Sequence, residues 1–112
     1  MKFKSKEVKG VTVIELTGNV MGGPDATALN EQLHKLIDDS KKRIVVDLSD
    51  VQFINSSGLA MLIGGLNTLR KSGGEMKLAR ASDKIENLFE MTKLNTVFDI
   101  HKTVNEAVTS FK

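Results

Sequence analysis

The run Ile44-Val45-Val46-Asp47-Leu48 constrains the fold of this chain more than any other feature. Its first three residues are consecutive, apolar and β-branched, and such residues favour a strand. Neighbouring side chains of a strand point to opposite faces, so an unbroken apolar run indicates a strand that is covered on both faces. Strands of this kind occur in parallel sheets, and the run therefore favours an α/β fold.

The rest of the chain alternates between strand and helix signals. Segments rich in β-branched residues predict strands, and apolar residues at spacings of three and four predict helices. Lys9-Gly10 predicts a hairpin between the first two strands, and Pro24 predicts the first turn of a helix with Gly23 as its cap. The predicted strands are 3–8, 11–17, 44–48, 75–79 and 96–100, and the predicted helices start at 24, span 57–72 and 83–91, and follow a capping box at 103–106.

These elements predict one domain over residues 1–112, with the order β-β-α-β-α-β-α-β-α. We expect a mixed, mostly parallel sheet of four or five strands packed with about four helices, and an antiparallel pair at its start. In such sheets, ligand and partner sites gather at the carboxyl ends of the strands. Two loops are expected to leave those ends, at 18–24, where Gly18 closes a strand, and at 49–57.

The composition argues against several kinds of site. The chain has no cysteine and only two histidines, His34 and His101, which lie far apart in sequence, so neither a metal centre nor a cofactor is expected. No nucleophile–base–orienter set and no P-loop or dinucleotide motif is recognisable, so an enzyme is not expected. The net charge of +2 and the absence of Trp and Tyr argue against a nucleic-acid partner.

Two further features bear on location. Residues 1–10 alternate in charge and contain no apolar core of the kind that signal peptides have. The longest apolar stretch, at 59–66, is far shorter than a membrane span. We therefore expect a cytoplasmic protein that does not insert into a membrane.

The segment Asn55-Ser56-Ser57-Gly58 holds the candidate functional side chains. It leads into a predicted helix, where Asn and Ser are favoured caps, so capping alone explains one of its polar side chains. A second interpretation is a phosphate position, because the N–H groups and the positive dipole end of a helix N-terminus stabilise a phosphate. Gly58 has two equally open explanations: close packing against the neighbouring strand, or a backbone accessible to a docking partner.

Four segments, taken together, point to a known family. They are 44–51 (IVVDLSDV), 53–59 (FINSSGL), 73–78 (GGEMKL) and 85–94 (IENLFEMTKL), the last followed by Val97-Phe98. In this order they resemble the STAS domain of bacterial anti-sigma-factor antagonists. The resemblance covers essentially the whole chain without a large insertion.

The resemblance implies a phosphorylation switch. Proteins of that family bind an anti-sigma factor that is also a serine kinase of the GHKL type, which frees the sigma factor. The kinase then phosphorylates a serine at the start of the second helix, the complex dissociates, and a PP2C-type phosphatase resets the protein. The family motif Asp-Ser-Ser/Thr-Gly-Leu places the phosphate on Ser56, with Ser57 as the alternative acceptor. This chain departs from the motif at Asn55, where the family has an aspartate.

The resemblance also implies a partner surface made by the two loops together. Val20 and Met21 are apolar residues in a glycine-rich loop, and they serve either as an anchor for the partner or as a staple beneath the first helix. The residues expected at this surface are Asn19, Val20, Met21, Gly22, Asp25, Asn55, Ser56, Ser57, Gly58 and Leu59.

Two other functions stay open at this point. A STAS protein can be a scaffold of a stress-signalling complex, phosphorylated by a different kinase, or the regulatory subunit of a lipid-transport ATPase. The adjacent hydroxyls of Ser56 and Ser57 favour a phosphorylation switch over the transport subunit. We expect a monomer or a weak dimer.

Overall fold

The computed structural model describes residues 1–111, and Lys112 lies outside that range. The observed order confirms the predicted one, with a 3₁₀ turn added before the last strand. The elements are β1 (Lys2–Val8), β2 (Val11–Val20), α1 (Pro24–Asp38), β3 (Arg43–Ile54), α2 (Ser56–Lys71), β4 (Glu75–Ala79), α3 (Asp83–Met91), the 3₁₀ turn (Leu94–Thr96), β5 (Ile100–His101) and α4 (Val104–Thr109).

The sheet has five strands in the order β1-β2-β3-β4-β5. The first pair is antiparallel and the other three pairs are parallel, as expected. The predicted hairpin is present: Lys9 and Gly10 have φ angles of 52° and 81°, the two positive values that a tight turn of matching twist requires. The three parallel pairs each need a helical connection, which α1, α2 and α3 supply.

Strand β3 is covered on both faces, which confirms the prediction from its apolar run. Ile44, Val46 and Leu48 point into the main core beneath α1, α2 and α3. Val45 points to the other face, where it packs with Ala107 and Val108 of α4 in a smaller core. The alternation of strand side chains therefore divides one continuous apolar run between two cores.

The predicted ends of β2 and β3, at residues 17 and 48, are wrong. Both strands extend further toward their carboxyl ends than the neighbouring strand β4 does. In this extension they pair with each other, and residues 17–20 lie beside residues 50–54. Two shifts of register accommodate this extension, and Gly18, with a φ of +95°, lies at one of them. The expected loops are consequently short: residues 21–23 separate β2 from α1, and only Asn55 separates β3 from α2.

The predicted last strand, at 96–100, is also misplaced. Leu94–Thr96 form the 3₁₀ turn, and only Ile100 and His101 pair with β4. Phe98 is buried and packs edge-to-face on Phe89, with 5.8 Å between the ring centres. This tertiary contact directs Phe98 into the main core and outweighs the strand propensity of its segment.

Candidate functional site

The junction between β3 and α2 presents the two candidate serines. Asn55 caps the helix, and its side-chain oxygen accepts a hydrogen bond from the Gly58 N–H at 2.7 Å. Ser56 and Ser57 are therefore the first two residues of the helix, one position earlier than predicted, and both are exposed. The capping interpretation thus applies to Asn55, and neither serine is needed for it.

The turn after β2 lies against this junction. The backbone N–H of Asn55 donates to the Val20 carbonyl at 3.3 Å. Gly22, with a φ of +80°, packs on Ser57 so closely that a β-carbon added to it would lie 2.7 Å from the Ser57 β-carbon. The structure therefore brings together the two segments that the sequence placed at one edge of the sheet.

Four of the residues expected at the partner surface are buried, namely Val20, Gly22, Gly58 and Leu59. Val20 has no exposed surface and Leu59 is 7% exposed, and both belong to the main core. Gly58 is buried because α2 crosses the end of β2 there: an added β-carbon would overlap the Val20 carbonyl oxygen and lie 2.8 Å from its carbon. Close packing thus accounts for Gly58, and the apolar anchor expected at Val20 is absent from the surface.

Other expected residues remain accessible. Met21 is 44% exposed, and Asn19 is exposed on the extended part of β2. Asp25 is partly buried in the first turn of α1, where its carboxylate lies 3.6 Å from the N-terminal amine. The accessible surface is thus made of Met21, Ser56 and Ser57, with Asn19 nearby in sequence.

The electrostatics of this edge come from the backbone. The first turn of α2 contains no acidic residue, so the N–H groups of Ser56 and Ser57 and the positive end of a 16-residue helix face outward without a compensating carboxylate in that turn. Such a terminus stabilises an added anion. Within residues 1–111, no three acidic or histidine side chains lie close enough together to hold a metal ion.

One exposed aromatic side chain received no role in the sequence analysis. Phe53, near the end of β3, is 42% exposed beside α3. The sequence analysis missed this side chain because it predicted a loop at 49–57. The direction of the Phe53 side chain follows only from the strand that the structure contains there. The signal was the residue types, because Val51, Phe53 and Ile54 are β-branched or aromatic and such residues favour a strand.

A bilayer crossing needs a longer and more apolar helix than any that residues 1–111 form.

Comparison with known proteins gives the family. The sequence-family model of the STAS domain matches residues 2–107 of this chain. The anti-sigma-B factor antagonist of Bacillus subtilis is 32% identical over 85 residues, which is 73% of this chain and 77% of that protein.

Solved structures agree on the fold. An anti-sigma factor antagonist from Mycobacterium paratuberculosis superposes with a TM-score of 0.81 at 26% identity, over 97% of this chain and 92% of the other. The Bacillus cell fate determinant SpoIIAA in its phosphorylated form superposes with a TM-score of 0.73 at 18% identity, over 99% of this chain and 100% of the other. The chain belongs to the STAS domain family, among relatives named anti-sigma factor antagonists.

Proposed function

We propose that this protein is an anti-sigma-factor antagonist controlled by phosphorylation of Ser56. The unphosphorylated form binds an anti-sigma factor that is also a serine kinase of the GHKL type, and the sigma factor is released. Phosphorylation ends the complex, and a PP2C-type phosphatase restores the active form. The protein acts in the cytoplasm, as a monomer or weak dimer.

The main support for this proposal is that one residue caps α2 while a different one presents the hydroxyl. Because Asn55 provides the cap, the Ser56 hydroxyl is not needed to cap the helix. Ser56 is exposed, so its hydroxyl is accessible to a kinase. The helix terminus around Ser56 favours negative charge, so the fold tolerates a phosphate at that position.

The packing favours Ser56 over Ser57. The Gly22 turn lies directly on the Ser57 β-carbon and restricts the room for a kinase active site around that side chain. Ser57 therefore remains the alternative acceptor rather than the first choice.

The exposed Met21 completes the contact surface on the other side of the junction. Met is flexible and apolar, which suits a surface that adapts to a partner. The buried residues Val20, Gly58 and Leu59 hold the two segments together beneath it. Their contribution to the partner surface is the placement of Met21 and Ser56.

The switch follows from the charge of the phosphate. A phosphoserine adds about −1.5 to −2 charges, which docking would bury against a surface shaped for a neutral hydroxyl. Repulsion by the nucleotide phosphates of the kinase and the cost of desolvation then oppose binding. A loss of about 3 kcal/mol in binding free energy weakens the affinity more than a hundredfold, because each 1.4 kcal/mol is a factor of ten.

Mass spectrometry after incubation with the cognate kinase and ATP tests the proposal. We expect one phosphate on Ser56 in the wild-type protein and in Ser57→Ala, and none in Ser56→Ala. Phosphate found only on Ser57, or on neither serine, would contradict the assignment. Titration of the anti-sigma factor with the unmodified protein tests the antagonist role separately, since that role requires binding before any phosphate is transferred.

A further inference from the structure

A second surface feature lies between the end of β3 and helix α3. It is an apolar pocket of about 270 Å³, lined by Phe53 and Ile54 from the strand and by Lys84, Leu88 and Met91 among the residues of the helix. Phe53 is 42% exposed and Met91 is 81% exposed. Single exposed apolar residues are ordinary, but here two large ones share one concave site.

The core does not account for these side chains. Met91 is the last residue of α3, and with four-fifths of its surface in water it contributes little to the stability of the fold. Ile85 and Phe89 are the residues that fasten α3 to the main core. The exposed side of α3 thus keeps an apolar residue that its packing does not require.

The pocket is continuous with the edge that carries Ser56. Phe53 and Ile54 are the last two residues of β3, and Asn55 alone separates them from Ser56. Ile54 lines the pocket and also pairs with Val20, the residue before Met21. The pocket therefore flanks the start of α2 on the α3 side, while the Gly22 turn flanks it on the other side.

The charge at the pocket points to the chemistry of its occupant. Among the described residues that line it, Lys84 alone carries a charge, and its Nζ lies 5.9 Å from the centre of the Phe53 ring. A side chain that enters the pocket must be apolar to match its walls. A carboxylate of the same molecule that lay near the pocket would be attracted by the Lys84 ammonium group.

We propose that this pocket receives an apolar side chain of the anti-sigma factor, with a carboxylate of the same partner beside Lys84. The inference rests on the proposed function, because it extends the partner surface from Met21 and Ser56 to Phe53 and Met91. The pocket holds little more than one large side chain, which is far less than the roughly 800 Å² that a stable interface needs from each partner. The pocket therefore fits better as an extension of the proposed anti-sigma-factor surface at Met21 and Ser56 than as a separate interface with a second copy of the chain.

Binding of the unmodified protein to the anti-sigma factor, measured by titration calorimetry, tests the proposal. We expect Met91→Ser and Lys84→Glu each to weaken the affinity by about tenfold, the scale of a contact near the centre of an interface. The matched controls are Val97→Ser, at an exposed apolar residue outside the pocket, and Lys102→Glu, at an exposed lysine. Both controls are expected to stay within about twofold of the wild type.

The thermal unfolding midpoints of all four variants are expected to match the wild type, so a change in affinity reports on the contact and not on folding. Normal binding by both Met91→Ser and Lys84→Glu, with a wild type that binds, would overturn the pocket and leave the proposed function intact. A wild type that does not bind any anti-sigma factor would instead overturn the proposed function. Sedimentation that shows a dimer abolished by Met91→Ser, with partner affinity unchanged, would assign the pocket to self-association and overturn the inference.

Discussion

Asn55 decides how the start of α2 is built. Its side-chain oxygen accepts the Gly58 N–H at 2.7 Å, which satisfies one of the donors that a helix terminus otherwise leaves unpaired. Asparagine and aspartate cap equally well, so the departure from the family's aspartate preserves the geometry. What it removes is the negative charge next to Ser56.

Substitution of Asn55 separates capping from charge. We expect Asn55→Ala to lower the free energy of unfolding by about 1 kcal/mol, the usual value of a lost cap. Asn55→Asp is expected to keep the stability, because the carboxylate still caps and interacts favourably with the helix dipole. Urea unfolding measures both, and an unchanged midpoint for Asn55→Ala would contradict the capping role.

Asn55→Asp also tests a feature of the proposed kinase reaction. If the missing carboxylate limits phosphate transfer, Asn55→Asp accelerates it in a single-turnover assay. An unchanged rate would show that asparagine suffices at this position.

At the scale of elements, α2 and β2 meet in backbone contact. At Gly58 the helix crosses the Val20 carbonyl, and this crossing positions the first turn of α2. The same helix has a second kind of glycine at Gly64, where an added β-carbon would meet nothing within 4 Å. Substitution at these two positions therefore distinguishes a glycine required by close packing from one that packing does not require.

Gly58→Ala is expected to destabilise the protein by at least about 2 kcal/mol, because the new methyl overlaps backbone atoms that cannot move aside. Gly64→Ala, the control, is expected to stabilise it by about 0.5–1 kcal/mol through helix propensity alone. Urea unfolding of both variants measures the difference. Equal stabilities for the two variants would contradict the close packing at Gly58.

Strand β5, at the edge of the sheet, is linked to β4 by a cluster of ionisable side chains. Asp99 lies 3.0 Å from the His101 Nε2 and 3.1 Å from the Lys77 Nζ. Burial works against the charged form of Asp99, but the close approach of His101 and Lys77 outweighs it, so the pKa of this carboxyl lies below its ordinary value.

A lowered pKa in the folded state means that Asp99 stabilises the fold when it is ionised. That contribution is present above about pH 4, where aspartate in the unfolded chain ionises, and is lost as the pH falls through the lower folded pKa. We expect Asp99→Asn to cost less than about 1 kcal/mol at neutral pH, since the carboxylate is half exposed. Urea unfolding across the acidic range should show this cost shrink toward zero, and a cost independent of pH would contradict the pairing.

At the scale of the whole molecule, phosphorylation is expected to change charge and not fold. A phosphate on Ser56 would meet a helix terminus that stabilises negative charge, and α4 lies on the opposite face of the sheet, in a separate core. Amide chemical shifts of the unmodified and phosphorylated proteins should differ around residues 21–23 and 55–59 and agree in α4. Differences spread through α4, or equal affinity of the two forms for the anti-sigma factor, would contradict a local mechanism.

The kinds of element and their order could be predicted from the amino-acid sequence, because the signals for these are local. The apolar run at 44–46 marked a strand with two covered faces, Pro24 marked the start of α1, and the polar residues at 55–57 marked the start of α2. Each signal depends on residues within a few positions, and a short-range periodicity or cap reports them directly.

Where the strands end and which side chains reach the surface depends on tertiary contacts that local patterns do not report. β2 and β3 are longer than predicted because they pair with each other. Phe98 lies in the core and not in a strand because it packs on Phe89. Val20 is buried because α2 crosses over it at Gly58. These contacts join residues far apart in the chain, and their free energies exceed local propensities. For the same reason only the fold reveals that Phe53 and Met91 share one exposed pocket beside Ser56.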